Sequence, residues 1–240
     1  MKPDISPTVR RFGTLFFALA AGVTSGADPS PEASPEIIRV EEDWIVYVTN
    51  PDSLTGAPQI ANVIAPRSST DGTFGIVELN HGSQPNFSSG GVQVQSWSGE
   101  QPVSTAPADE TGVLAIAYDK LVYTVAMELS GDEIRFTLKD GKSRTWGHFA
   151  RQGVSAAAPK NDLTLQDYDP QFSVDNTSIN VGAHRVDLMY QKETRYYSAA
   201  GLERRDTTPR VLHRFREVVQ FVSLEEYEQN QDYFNIEITE

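Results

Sequence analysis

The sequence contains no cysteine, and only four of its 240 residues are histidines. Without cysteine there is no disulfide framework, no thiolate metal site and no cysteine nucleophile. The histidines, at positions 81, 148, 184 and 213, lack a spacing such as His-x-x-x-His, which disfavours zinc. A chain of this length therefore has to be stabilised by a hydrophobic core.

Basic residues are also scarce: 20 Lys and Arg stand against 33 Asp and Glu, a formal net charge of −13. Duplex-binding proteins draw much of their affinity from phosphate neutralisation by clustered Lys and Arg. The composition therefore disfavours nucleic acid as a partner. Only the stretch from Arg185 to Arg216 is locally basic. We expect it to pair with the protein's own acids or to form a solvated face, and acidic polysaccharide or membrane headgroups are the alternative contacts.

Long apolar runs are missing except at the start of the chain, between Phe12 and Val23. Basic residues precede this run and small residues, Ser25 and Ala27, follow it, which is the pattern of a signal peptide over residues 1–27. The run is too short for a permanent transmembrane anchor. We therefore predict an exported protein, periplasmic or secreted.

The predicted mature chain begins at Asp28. Removing three basic residues and one acidic residue with the signal peptide changes the formal charge from −13 to −15. Residues 28–36 are rich in Pro, Ser and Glu and predict a short disordered lead-in. Residues 37–240 contain no stretch that reads as a linker, so we predict a single domain there.

The clearest structural pattern lies between Leu121 and Phe149. Alternating apolar residues predict a strand there, and the residues of its buried face are Leu121, Tyr123, Val125, Met127 and Leu129. Ser130-Gly131-Asp132 predicts a turn, and Ile134, Phe136 and Leu138 predict the buried face of the next strand. The stretch is therefore predicted to be a three-stranded β-meander.

Asp140-Gly141 is a dipeptide that two-residue hairpin turns prefer. Such a turn would place Arg135 opposite Trp146, on a face that points away from the core and forms a groove. A three-residue loop with a bulge at Gly141 would instead slip the pairing and turn Trp146 into the core. Both arrangements fit the sequence.

Further strands are predicted along the rest of the chain. In one of them Gln93, Gln95 and Trp97 share a polar face, opposite Val92 and Val94. The other predicted strands are residues 44–49, 59–64, 74–80, 113–117, 176–190 (with a bulge at Gly182), 193–198, 211–222 and 234–238. Residues 101–112 are predicted to be a loop, and residues 223–226 a short helix. Ten to thirteen short strands with little helix predict an all-β antiparallel sandwich.

The strand order and three runs, GTFGIVELN, GGVQVQSW and DGKSRTWGHF, resemble the concanavalin A-like lectin and glucanase superfamily. The resemblance covers roughly residues 40 to 222. It implies a jelly-roll sandwich in which one sheet is concave and often carries a sugar site.

Enzymes of that superfamily place their acids as Glu-x-Asp-x-x-Glu on one strand, and the sequence lacks this run. Glu41-Glu42-Asp43 are adjacent, so alternation on a strand should separate neighbours onto opposite faces. A Gly-x-Ser-x-Gly elbow is also missing. We therefore assign no catalytic residue and lean against an enzyme, although distant strands can still bring two carboxyl groups together.

Asp167, Asp169 and Asp175, with Gln171, partly match the calcium and manganese loop of legume lectins. Oxygen ligands suit calcium, yet the stretch lacks a glycine turn and a bidentate glutamate. Calcium is thus a weak possibility and no cofactor is expected. The alternative is that these aspartates only form turns.

These patterns predict a secreted or periplasmic binding module that recognises a carbohydrate or envelope polymer. Tryptophans on polar strand faces can stack on sugar rings. The candidate ligand-binding residues are Gln93, Gln95, Trp97, Arg135, Arg144 and Trp146. The alternatives are a polysaccharide hydrolase or lyase on the same fold, and a structural or interaction protein of the cell envelope.

Overall fold

The computed structural model describes residues 34–48, 58–80, 91–108, 119–144 and 147–214. These residues form two antiparallel sheets that pack as a sandwich, which confirms the predicted fold class. The strands are β1 Arg39–Val48, β2 Gln59–Ile64, β3 Thr73–Leu79, β4 Val92–Ser98, β5 Gln101–Ala108, β6 Asp119–Ser130, β7 Glu133–Ser143, β8 Gly147–Phe149, β9 Val154–Pro159, β10 Ser178–Val181, β11 Val186–Ser198, β12 Gly201–Asp206 and β13 Arg210–Arg214. One helix, α1 Pro170–Asn176, and a 3₁₀ turn, Ala183–Arg185, complete the described elements.

One sheet has eight strands and the other has five. The larger sheet runs in the order β12-β11-β1-β6-β7-β8, with β13 also paired to β11 and β9 also paired to β7. The smaller sheet runs β10-β2-β3-β4-β5. We call the surfaces that point away from the core the eight-strand outer face and the five-strand outer face.

Alternating side chains build the core between the sheets. On β6 and β7 the predicted apolar positions are buried, Tyr123 and Phe136 among them. Gly75 on β3 faces Phe136 of the other sheet, and a Cβ at Gly75 would lie 2.4 Å from the Phe136 Cγ. The two sheets approach closely at this point because the glycine has no side chain.

Side-chain hydrogen bonds link the two sheets at two places. On one side the Ser96 Oγ of β4 donates to the Ala157 carbonyl of β9 at 2.7 Å. On the other side α1 places its Ser173 hydroxyl 2.7 Å from the Val63 carbonyl and 2.8 Å from Glu42 Oε2. Ser173 therefore contacts both sheets at once.

The predicted meander is present as β6, β7 and β8, and the chain turns between β6 and β7 at Gly131-Asp132 as expected. The predicted hairpin turn at Asp140-Gly141 is wrong. β7 continues to Ser143, and Asp140 and Gly141 together oppose the single residue Tyr123 of β6. The dipeptide forms a β-bulge, in which the positive φ of Asp140, 55°, is accommodated within the strand.

Three other expectations are also corrected. Residues 101–108 of the predicted loop form strand β5, paired with β4. The predicted single strand over 176–190 is two strands in different sheets, because Gly182 adopts a left-handed conformation and a 3₁₀ turn follows it. Helix α1 was missed, although Asp169 as N-cap followed by Pro170 is a helix-start signal.

Several predicted features lie outside the described residues: the signal peptide, most of the lead-in, the strand over 113–117, the helix over 223–226 and the last strand. Within the described ranges, no helix is long and apolar enough to cross a membrane.

Candidate binding face

The five-strand outer face carries the polar positions of β3 and β4. The two strands pair so that Glu78 lies opposite Gln93, Ile76 opposite Gln95, and a phenylalanine opposite Trp97. Because alternation sends the valines of β4 into the core, the intervening glutamines and Trp97 point outward, as predicted.

These side chains form one connected hydrogen-bonded row. Trp97 Nε1 donates to Gln95 Oε1 at 2.8 Å, and Gln95 Nε2 donates to Glu78 Oε2 at 3.0 Å. Gln93 Nε2 donates to the same carboxylate oxygen at 2.9 Å. Phe74 stacks on Trp97 with 6.1 Å between ring centroids and 12° between ring planes. The row fixes the orientation of a partly exposed indole ring.

The sequence prediction missed Glu78 and Phe74 as members of this face. The alternation within β3 contains the signal, since Val77 and Leu79 are core residues and their neighbours must point outward. Glu78 belongs to the row because its carboxylate accepts both glutamine amides. The structure therefore extends the predicted set on β4 by two residues of the adjacent strand.

Arg135 and Arg144 lie elsewhere. Both belong to β7 or its end, in the eight-stranded sheet, and both are exposed. Arg135 lies 3.6 Å from Glu133, and the backbone N–H of Arg144 donates to Asp119. Since β4 is in the other sheet, one common groove for the two predicted sets is excluded. Trp146 lies outside the described residues.

Part of the eight-strand outer face carries an ion-pair network between β1, β11 and β7. Arg195 of β11 binds Glu41 at 3.2 Å and also pairs with Asp43 and Glu193. Lys139 of β7 lies 2.6 Å from Glu41. The expectation that basic residues after position 185 pair with the protein's own acids is confirmed for Arg195.

The ion pairs lower the pKa of both β1 carboxyl groups on this face. Burial acts to raise the pKa of Glu41, but the hydrogen bond and charge of Lys139 outweigh it. Burial likewise acts on Asp43, and hydrogen bonds from Arg195 and Thr124 outweigh it. Both carboxyl groups therefore stay ionised and bound to cations.

Glu42 points to the opposite side of β1, into the core, as the predicted alternation requires. It is fully buried and accepts hydrogen bonds from Tyr168 Oη, from Trp44 Nε1 at 3.1 Å, and from Ser173 Oγ at 2.8 Å. Burial raises the pKa of Glu42 to about 7, against the opposing effect of these hydrogen bonds.

Two of the three aspartates considered for calcium have structural roles. Asp169 caps α1 by accepting the backbone N–H of Gln171 at 2.9 Å, and Asp175 accepts the side-chain amide of Gln171 at 2.8 Å. Asp167 does not join them in a cluster: in the described part of the chain no three Asp, Glu or His residues converge as metal ligands. These contacts favour the alternative of turn- and cap-forming aspartates.

Comparisons with known proteins find similarity among solved structures. No protein-family model matches the sequence, and no curated protein matches it either. Among solved structures, the crystal structure of Scytalido-glutamic peptidase with a peptide-based transition state analog matches with 10% sequence identity and a TM-score of 0.31. That match covers 74% of this chain and 83% of the peptidase chain.

Proposed function

We propose that this protein is an exported carbohydrate-binding module whose ligand lies on the five-strand outer face, over Trp97. The observation that carries the proposal is the row of Trp97, Gln95, Glu78 and Gln93. Its indole ring is partly exposed and its amide and carboxylate groups are held in place by one another. Membership of the concanavalin A-like superfamily is part of the same proposal, supported by the two-sheet sandwich and the three resembling runs.

Sugars match this arrangement chemically. A pyranose ring has an apolar C–H face that packs on an aromatic ring, and its edge carries hydroxyl groups that both donate and accept hydrogen bonds. Trp97 offers the ring, and the adjacent amides and carboxylate offer donors and acceptors. Phe74, stacked on Trp97 from the neighbouring strand, restrains the indole, so less conformational entropy is lost on binding.

The three adjacent acids of β1 favour binding over hydrolysis. Retaining and inverting glycosidases need one carboxylic acid that can donate a proton to the leaving group. Glu41 and Asp43 share a face but are kept ionised by Arg195 and Lys139. Glu42 has a raised pKa but is enclosed in the core, where a polysaccharide does not reach.

The test compares Trp97→Ala with Arg135→Ala on a panel of immobilised polysaccharides. Trp97→Ala should weaken binding by about tenfold or more, as expected for an aromatic residue at the centre of an interface. Arg135→Ala removes another predicted ligand residue from the eight-strand outer face and should leave affinity unchanged. Thermal unfolding of both variants checks that they fold.

Other outcomes are equally informative. If only Arg135→Ala loses binding, the ligand site lies on the eight-stranded sheet. Release of soluble sugars by the wild-type protein would identify a hydrolase or lyase instead of a binding module. Absence of binding across the panel would refute the proposal.

A further inference from the structure

The two sheets differ sharply in charge. Glu78 is the one charged residue in the described strands β2, β3, β4, β5 and β10. In the other sheet, strand β1 by itself contains four charged residues: Arg39, Glu41, Glu42 and Asp43. The five-strand outer face is therefore built from amides, hydroxyls and apolar groups around a single carboxylate.

Basic residues are missing around this face in the sequence as well. Between Arg39 and Lys120 the chain contains one basic residue, Arg67, and that stretch includes every connection among β2, β3, β4 and β5. Arg67 is exposed and forms an ion pair with Asp162 at 3.1 Å. Hence the chain from β2 to β5 contains no second Lys or Arg that could bind an anionic ligand.

One carboxylate oxygen of Glu78 is available to accept hydrogen bonds from a ligand. Both glutamine amides donate to Oε2, and Oε1 has no hydrogen-bond donor among the described residues. A carboxylate oxygen accepts up to two hydrogen bonds and donates none when ionised. Oε1 can therefore accept from the hydroxyl groups of a bound sugar, but it repels a sugar carboxylate or sulfate.

We infer that the five-strand outer face is selective for uncharged glycans, and that Glu78 is the residue that excludes uronate and sulfated polymers. The inference rests on the proposed carbohydrate function and specifies its ligand class. Two effects act in the same direction. Like charges brought together in a binding site cost affinity directly, and the net charge of −15 on the predicted mature chain repels a polyanion before contact.

The experiment measures binding of a neutral polysaccharide, such as a β-glucan or galactomannan, and of polygalacturonate. At low ionic strength the wild-type protein should prefer the neutral polymer by about tenfold or more. Glu78→Gln keeps the shape of the side chain and removes its charge, and it should reduce that preference at least severalfold. Because salt screens charge repulsion, about 0.5 M NaCl should also reduce the preference in the wild-type protein.

Glu133→Gln is the matched control. It removes one negative charge from an exposed side chain at the start of β7, in the other sheet, so it changes the net charge equally. It should leave the preference unchanged. An equal effect of both variants would show that net charge alone decides, which overturns the role of Glu78.

The remaining outcomes separate the inference from the function on which it rests. Polygalacturonate bound as well as the neutral polymer overturns the inference and leaves the carbohydrate function standing. No binding to either class overturns both. If Glu78→Gln does not fold, the salt dependence of the wild-type preference decides, and a preference that salt does not reduce counts against charge exclusion.

Discussion

At the residue scale, burial controls the protonation of Glu42. Its carboxyl oxygens accept hydrogen bonds from Tyr168, Trp44 and Ser173, and these bonds favour the ionised form. Burial in the core disfavours the charge more strongly, so the pKa of Glu42 rises to about 7. Glu42 therefore keeps its proton at pH values at which an exposed glutamate has lost it.

A glutamate that is protonated in the fold makes stability fall as pH rises. The folded state binds the proton up to about pH 7, whereas the unfolded state releases it near 4.5, so stability decreases between these values. We expect Glu42→Gln to remove roughly 2 to 3 kcal/mol of this pH dependence between pH 5 and pH 8. Urea unfolding of both proteins at four pH values measures it.

The comparison is controlled because every other titrating group is the same in the two proteins. Glu41 and Asp43 have lowered pKa values and lose their protons below this pH range. Parallel stability curves for wild type and Glu42→Gln would mean that Glu42 ionises normally in the fold.

At the element scale, the bulge in β7 links the meander to the core. Asp140 and Gly141 both oppose Tyr123, and Gly141 packs under the ring of Phe149 on β8. The extra residue increases the local twist of the strand and re-aims the residues that follow it. The bulge thus sets how β8 lies against β7.

Gly141→Ala tests this packing. A Cβ at Gly141 would lie 2.3 Å from the Phe149 ring, and Phe149 is itself buried. We expect a loss of about 1 to 3 kcal/mol in unfolding free energy, the usual cost of overpacking a core. Chemical denaturation measures the loss.

Gly72→Ala is the matched control, because a Cβ at Gly72 meets no heavy atom within 4 Å and its backbone is not in the left-handed region. It should unfold almost like the wild-type protein. Equal stability of the two alanine variants would show that Phe149 moves aside without cost.

At the scale of the whole molecule, the sandwich separates two kinds of surface. On the eight-strand outer face, charged side chains form ion pairs with one another, among them Glu41, Asp43, Lys139 and Arg195. The five-strand outer face has almost no charge to pair. The less charged of the two sheets is thus the one on which we propose that the ligand binds.

Export is the matching whole-molecule prediction. A signal peptidase should cleave after Ala27, because Ser25 and Ala27 are the small residues at the positions that such an enzyme reads. N-terminal sequencing of the protein recovered from outside the cytoplasm should therefore begin at Asp28. A protein that still begins at Met1 would contradict both the export and the cleavage site.

The sequence by itself determined the fold class and the facing of individual strands. Successive side chains on a strand point to opposite sides, so the buried faces of β6 and β7 and the outward face of β4 follow from local alternation. Adjacent acids such as Glu41 and Glu42 were separated for the same reason. Turn and strand propensities are also local, which is why β2 and the β6–β7 turn were predicted correctly.

Only the tertiary structure decided which strands share a sheet and which side chains meet. Arg135 and Trp97 both point outward, yet they lie in different sheets, and no local pattern records that assignment. Arg195 reaches Asp43 across 152 positions of sequence. Asp140-Gly141 also fits a hairpin turn, and in the structure it forms a bulge in which Gly141 packs against Phe149. The pairing of distant strands depends on how much apolar surface the whole core buries. The free energy of that burial cannot be predicted from residues that are neighbours in sequence.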